Sequence, residues 1–175
     1  MPEPWLRGPV DGVGPLLMPA AHALMQVVED VERAASGLSA DELWARPGGA
    51  ASVGFHLRHL AGSTDRLLTY ARGGVLSEAQ MAALHAEETP GDVPEDAPTL
   101  VEGVRRAVDA AMVEYGRGRS VDELLAPREV GRARLPSNLL GLLFHVAEHA
   151  QRHAGQVVTT AKVVRGLGAA STPEG

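Results

Sequence analysis

Residues 138–165 read NLLGLLFHVAEHAQRHAGQVVTTAKVVR. No proline interrupts them, and Leu142, Val146 and Val157 share a face at helical spacing, so one long helix is predicted over about 138–165. On or beside that face, His145, His149 and His153 stand at strict four-residue intervals. A long helix with an apolar stripe has to bury it against other elements. The rest of the chain therefore decides what kind of bundle this is.

Three further long amphipathic segments supply the partners. From about 16 to 37, Leu17, Ala20, Leu24, Val27, Val31 and Ala34 recur at helical spacing until Gly37 stops the run. Ser52 can cap the next, with Val53, Leu57, Leu60, Leu67 and Leu68, which ends at Gly73-Gly74. The third carries Leu100, Val104, Val108, Ala111 and Tyr115, with Thr99-Leu-Val-Glu102 spelling its cap. Short helical pieces are predicted at Ser39-Ala-Asp-Glu42, Ser77 to about Ala86, and Ser120-Val-Asp-Glu123, each opened by a capping signal. "EETPGDVPEDAP" is an acidic, proline-rich loop, and residues 128–136 are short for a strand and carry three arginines, so no convincing strand is predicted. The architecture expected is an all-α four-helix bundle with long connections, roughly 15 to 25 residues, against the 2–8 of simple bundles. Residues 1–14 read as an irregular arm, 15–166 as one domain and 167–175 as a flexible tail.

Composition narrows the function. The 175 residues are 45% hydrophobic but 3% aromatic, an aliphatic core suited to helix-on-helix packing. A net charge of -6 argues against phosphate-backbone binding and membrane-surface attachment, both of which need a basic surface. The absence of cysteine removes disulfides, thiolate ligands and cysteine nucleophiles. No secretory signal opens the chain and no apolar run reaches the ~18 residues of a membrane span. A soluble, cytoplasmic protein is expected.

Seven histidines occur, and five fall in two groups: His56 and His59 on the second long helix, and the ladder on the fourth. Residues four apart on a helix have Cβ atoms about 5–6 Å apart, which lets two imidazoles converge on one cation. Zinc–nitrogen distances of about 2.0–2.1 Å fit that separation. A third ligand must come from another helix, and the His56/His59 pair is the evident donor. Three neutral imidazoles on a divalent ion leave positions open for water or substrate, the catalytic arrangement. The plainer alternative is a hydrogen-bonded boundary histidine, and His22 and His85, which lack partners in the pattern, are assigned to it. Spacing alone chooses neither between His56 and His59 nor between metal and boundary roles.

The segments LSADELWARP (38–47), SVGFHLRHLAG (52–62) and LLFHVAEHAQRHAGQ (142–156) resemble the DinB-like superfamily, named for DNA-damage-inducible proteins. The resemblance covers roughly residues 15–165. Its most specific piece is H-x3-H-x-G-Q, met by His149, His153, Gly155 and Gln156; a second is the H-[LI]-A context, met by His59. It implies a four-helix bundle, commonly homodimeric, with a divalent metal held by His59, His149 and His153. Zinc or nickel is the expected ion, with iron as a further option. Four-residue steps rotate about 40° each, so all three ladder rungs would drift by about 80°, in keeping with only two of them serving one ion. His145 and His56, one turn before the implied ligands, become candidate catalytic residues or hydrogen-bonding supports. Ala154 stands where relatives often carry arginine. Gly155, which costs about 1 kcal/mol in a helix relative to alanine, is expected to admit a neighbouring backbone.

Two functions follow. Characterised members of the family include transferases and isomerases that use low-molecular-weight thiols such as bacillithiol or mycothiol. This implies a metal-dependent thiol S-transferase, with a metal-dependent hydrolase second. The alternative is a non-catalytic, stress-associated metal-binding dimer. Nucleic-acid binding is a distant third because of the acidic balance.

Overall fold

The computed structural model describes residues 1–92 and 94–170. Four long helices form the bundle: α1 (Met18–Ala35), α3 (Val53–Ala71), α5 (Ala97–Tyr115) and α7 (Leu139–Ala170). Between them lie the short helices α2 (Ala40–Trp44), α4 (Glu78–His85) and α6 (Val121–Leu125), and a hairpin of β1 (Pro127–Val130) and β2 (Leu135–Asn138). Among the described residues no helix is long and apolar enough to cross a membrane.

The helix starts are set by side-chain caps. Ser39, Ser77 and Ser120 each accept from the backbone three residues on, while Glu42, Gln80 and Glu123 return the bond, completing the three predicted capping boxes. Ser52 accepts from Phe55 N to open α3. The cap expected at Thr99 is instead Asp96, whose carboxylate accepts from Thr99 N. Pro98 belongs in the first turn, where its missing N–H is no loss, so α5 begins three residues earlier than the Thr99 reading placed it.

Each long helix buries its predicted stripe. Leu24, Val27, Val31, Leu57, Leu60, Val104, Leu143 and Val157 are fully buried in one aliphatic core. Each such side chain contributes about 1.5–3 kcal/mol by leaving water. Helix α7 packs between α1 and α3, and α5 packs across from it on the same two helices. Arg165 donates to Ser36 O and Gln151 to Ala23 O, so residue numbers rise together on α1 and α7, which run parallel. Arg58 pairs with Glu95 and Arg72 with Glu114, so α3 and α5 also run parallel. The pairs His59–His149 and His56–His153 show that α3 opposes α7. The order is up, down, down, up.

That order explains the long connections. The links from α1 to α3 and from α5 to α7 cross diagonals of the bundle, and α3 to α5 joins parallel neighbours, so the chain must return along its own length. Residues 72–92 and 94–96 make this return beside α3. Gln80 meets Asp65 and Thr69, Glu87 meets Arg66, and Glu95 meets Arg58.

Three further expectations need correction. Residues 127–138 form an antiparallel hairpin, with Val130 opposite Leu135, where no strand was predicted. Its signal was the turn: Gly131 and Arg134 bracket a four-residue loop at positive φ, closed by Arg134 N to Gly131 O. Helix α7 continues to Ala170 rather than about 165, past Gly166 and Gly168. Packing of Val164 and the Arg165 bond to the end of α1 outweigh the low helix propensity of glycine. Residues 171–175 of the expected tail lie outside the described residues.

The third correction concerns Gly155, which is exposed, with open space where a Cβ would stand. No backbone approaches it. Gly155→Ala is therefore expected to stabilise the protein by up to about 1 kcal/mol, read as a higher melting temperature. The close-approach glycine lies elsewhere: a Cβ at Gly54 would fall 2.8 Å from the Trp44 ring, which packs α2 onto α3.

Candidate metal centre

His59, in the first half of α3, meets His149 and His153, in the middle of α7. One ring nitrogen from each lies within 4.8 Å of the others, a cluster that could hold a metal ion. The antiparallel packing of α3 on α7 makes this possible, because the two histidines four apart on α7 flank one on α3. His59 Nε2 and His149 Nε2 face each other at 3.1 Å. Two nitrogens at 2.1 Å from a tetrahedral ion are separated by about 3.4 Å, so the pair stands close to the spacing that zinc requires.

The remaining ring nitrogens show how the cluster is held. His59 Nδ1 lies 2.7 Å from Glu87 Oε2, and Glu87 Oε1 accepts from Arg66 Nη1, also at 2.7 Å. Burial would raise the Glu87 carboxyl, but the hydrogen bonds from His59 and Arg66 hold it below the ordinary range. An ionised carboxylate only accepts, so His59 Nδ1 is the donor to it, and in the neutral ring Nε2 then carries the lone pair. His153 Nδ1 is 3.0 Å from His56 Nδ1. When His153 donates in that pair, its Nε2 likewise retains the lone pair. His149 Nδ1 is buried and has no hydrogen-bond partner among the described residues. Phe55 stacks on the His59 ring at 5.4 Å between centroids and meets His56 edge-on.

Burial, reinforced by the neighbouring imidazoles, pushes His56 and His149 down to about 4 and His153 to about 3. Metal ligation needs neutral imidazole, which these rings offer through the physiological range. The same shifts make the metal-free fold acid-sensitive. Unfolded histidine takes up its proton near 6.5, whereas the folded rings refuse theirs until pH 4 or below. Between those limits the unfolded chain binds more protons, so stability falls as pH falls. The melting temperature of metal-free protein is expected to drop between pH 7 and pH 5, and to drop less in His56→Ala.

The other predicted residues are placed as follows. His56 is buried behind His153. His145 is about half exposed, 3.1 Å from Glu148, with its ring 5.5 Å from His149. His22 bonds to Gly8 O in the N-terminal arm, and His85 is exposed at the end of α4. Neither joins the cluster. Sequence reasoning missed Glu87, Arg66 and Phe55. Phe55 sits inside a quoted motif, but Glu87 is in the acidic loop, where nothing local marks it. A hollow of about 830 Å³, lined in part by His22, lies away from the histidine cluster, between the N-terminal arm and α1. Its charges largely neutralise one another, Arg7 with Glu29 and Arg33 with Asp30.

Comparison with known proteins agrees with this fold. The family model of the DinB superfamily matches residues 23–157. A DinB-like protein of Bacillus cereus ATCC 10987, solved by crystallography, matches with a TM-score of 0.55 at 18% identity. The match covers 81% of this chain and 89% of that one. No curated protein matches the chain.

Proposed function

This chain belongs to the DinB superfamily, and on that premise we propose that it is a divalent-metal-dependent enzyme acting through His59, His149 and His153. The observation that carries the reading is the convergence of these three imidazoles from two helices, with His59 and His153 engaged at Nδ1. Structural zinc sites take four protein ligands, while three leave a position for substrate. A bound ion in such a site supplies Lewis acidity that lowers the pKa of a thiol or a water.

The chain's own residues divide the remaining work. Glu87 and His56 hold His59 and His153 in place. Phe55 stacks on one face of His59. His145, exposed one turn from His149 and paired with Glu148, is the candidate proton carrier. Because the chain has no cysteine, the thiolate of a transfer reaction comes from a cosubstrate. A low-molecular-weight thiol S-transferase is the first choice and a hydrolase the second.

Elemental analysis followed by assay of zinc- and nickel-loaded protein against small thiols paired with electrophiles tests this. Turnover that needs the metal and falls at least tenfold in His145→Ala is expected. Metal-loaded protein that turns over neither thiol conjugates nor esters would leave the non-catalytic metal-binding bundle as the reading.

A further inference from the structure

The return connection from α3 to α5 brings Glu87 behind His59, where it is 4% exposed. Its two oxygens take separate donors, His59 Nδ1 on one and Arg66 Nη1 on the other. The space they occupy exists because residue 62 has no side chain. A Cβ at Gly62 would lie 2.5 Å from Glu87 Oε1 and 2.8 Å from Arg66 Nη1. Positions 59, 62 and 66 follow one another along one face of a helix. That face presents an imidazole, a gap and a guanidinium in turn, and Glu87 fills the gap from outside.

We propose that Glu87 is a positioning residue for the metal centre: seated by Arg66 in the gap left by Gly62, it locks the His59 proton on Nδ1 and turns Nε2 toward His149 and His153. The inference rests on the metal-binding reading of those histidines. The nitrogen of an imidazole that carries the proton is set by the partner the other nitrogen finds. A carboxylate behind a ligating histidine fixes both the tautomer and the ring orientation, and losing it typically costs 10–100-fold in metal affinity. Arg66 has a defined part in this. By donating to Oε1 it fixes the orientation of the carboxylate and leaves Oε2 to accept from His59 Nδ1.

Glu87→Gln and Gly62→Ala test the proposal from two sides. In Glu87→Gln the amide cannot accept from both donors, and its NH₂ group, turned to His59, would demand the other tautomer. In Gly62→Ala the atoms displaced are the far ends of two flexible side chains, and alanine is the better helix former. That variant is expected to fold as well as the parent while its Glu87–Arg66 pair is moved. Nitrogen-15 spectra of metal-free protein should show His59 as the Nδ1–H tautomer in the parent and lose that signature in both variants. Zinc titration against a chromophoric chelator should show about 10–100-fold weaker binding in both, with metal-free melting of Gly62→Ala within a few degrees of the parent. A purely structural role for Glu87 would leave the tautomer and the zinc affinity of Gly62→Ala untouched, and that result overturns the proposal. If Glu87→Gln does not fold, a double Glu87→Leu, Arg66→Leu variant removes the buried pair together and is read by the same spectra. Should the parent take up neither zinc nor nickel, the metal reading falls by itself. The tautomer would still decide Glu87: its loss in the variants supports the role and its retention overturns it.

Discussion

Replacing His149 with alanine is expected to abolish stoichiometric metal binding while leaving the metal-free fold nearly as stable as before. Two of three ligands would remain, His59 and His153, each on a different helix, and chelation by the pair is lost. A fall in zinc affinity of at least a hundredfold is expected, read by competitive titration. Stability behaves differently because His149 is poorly satisfied when no ion is present. Among the described residues its Nδ1 is buried without a partner, a condition that costs about 1–3 kcal/mol. Removing the ring removes that cost and offsets the packing lost. The metal-free melting temperature of His149→Ala should therefore stay within a few degrees of the parent. A large drop in melting with metal affinity unchanged would mean that the ring serves the fold rather than an ion.

The opposite pattern is expected at Glu114, where the fold depends on one buried charge. Its carboxylate is 1% exposed and takes Arg72 and Arg119 at 2.7 and 2.6 Å and Arg117 at 3.0 Å. Burial would raise its pKa, but the hydrogen bonds from Arg119 and Arg72, with Arg117 nearby, hold it below the ordinary range. Glu114→Ala leaves three cations around an empty site at the end where α3, α5 and the following loop meet. Removing one partner of a buried ion pair costs about 3 kcal/mol. Arg117→Ala, whose side chain is 55% exposed, should cost under about 1 kcal/mol because water screens that contact. A carboxylate with a lowered folded pKa contributes its stability above the unfolded value, near 4.5, and loses it as pH falls through the folded value. The gap in urea midpoint between parent and Glu114→Ala should therefore narrow below pH 4.

Glu114 and Glu87 mark the limit of what was legible. Glu114 precedes Tyr115, which the apolar stripe of the third long helix identified as buried. Nothing in the apolar stripe says that its neighbour is buried too, since the three arginines that make this tolerable come from the end of α3 and the loop after α5. Glu87 lies in a segment whose glutamates, aspartates and prolines read as solvent-exposed loop. Most of them are, but the parallel run of α3 and α5 forces that segment back along α3. The capping boxes at Ser39, Ser77 and Ser120 were readable because both partners of each bond lie within four residues. Gly155 was misread for the converse reason: its position in a motif says nothing of the space around it.

By itself, the sequence determined the four amphipathic helices, most of their caps, the aliphatic core and the clustering of histidines on two of the helices. Each of these follows from interactions repeated at short range, where periodicity and side-chain chemistry suffice. Periodicity and spacing left His56 and His59 equal; the tertiary structure lays α3 antiparallel against α7 and so brings His59 into one cluster with His149 and His153. It also decided that His56 and Glu87 stand behind two of those rings. Those choices depend on helix order and direction across the bundle, which arise from burying all four stripes at once and leave no trace in any one stretch of the chain.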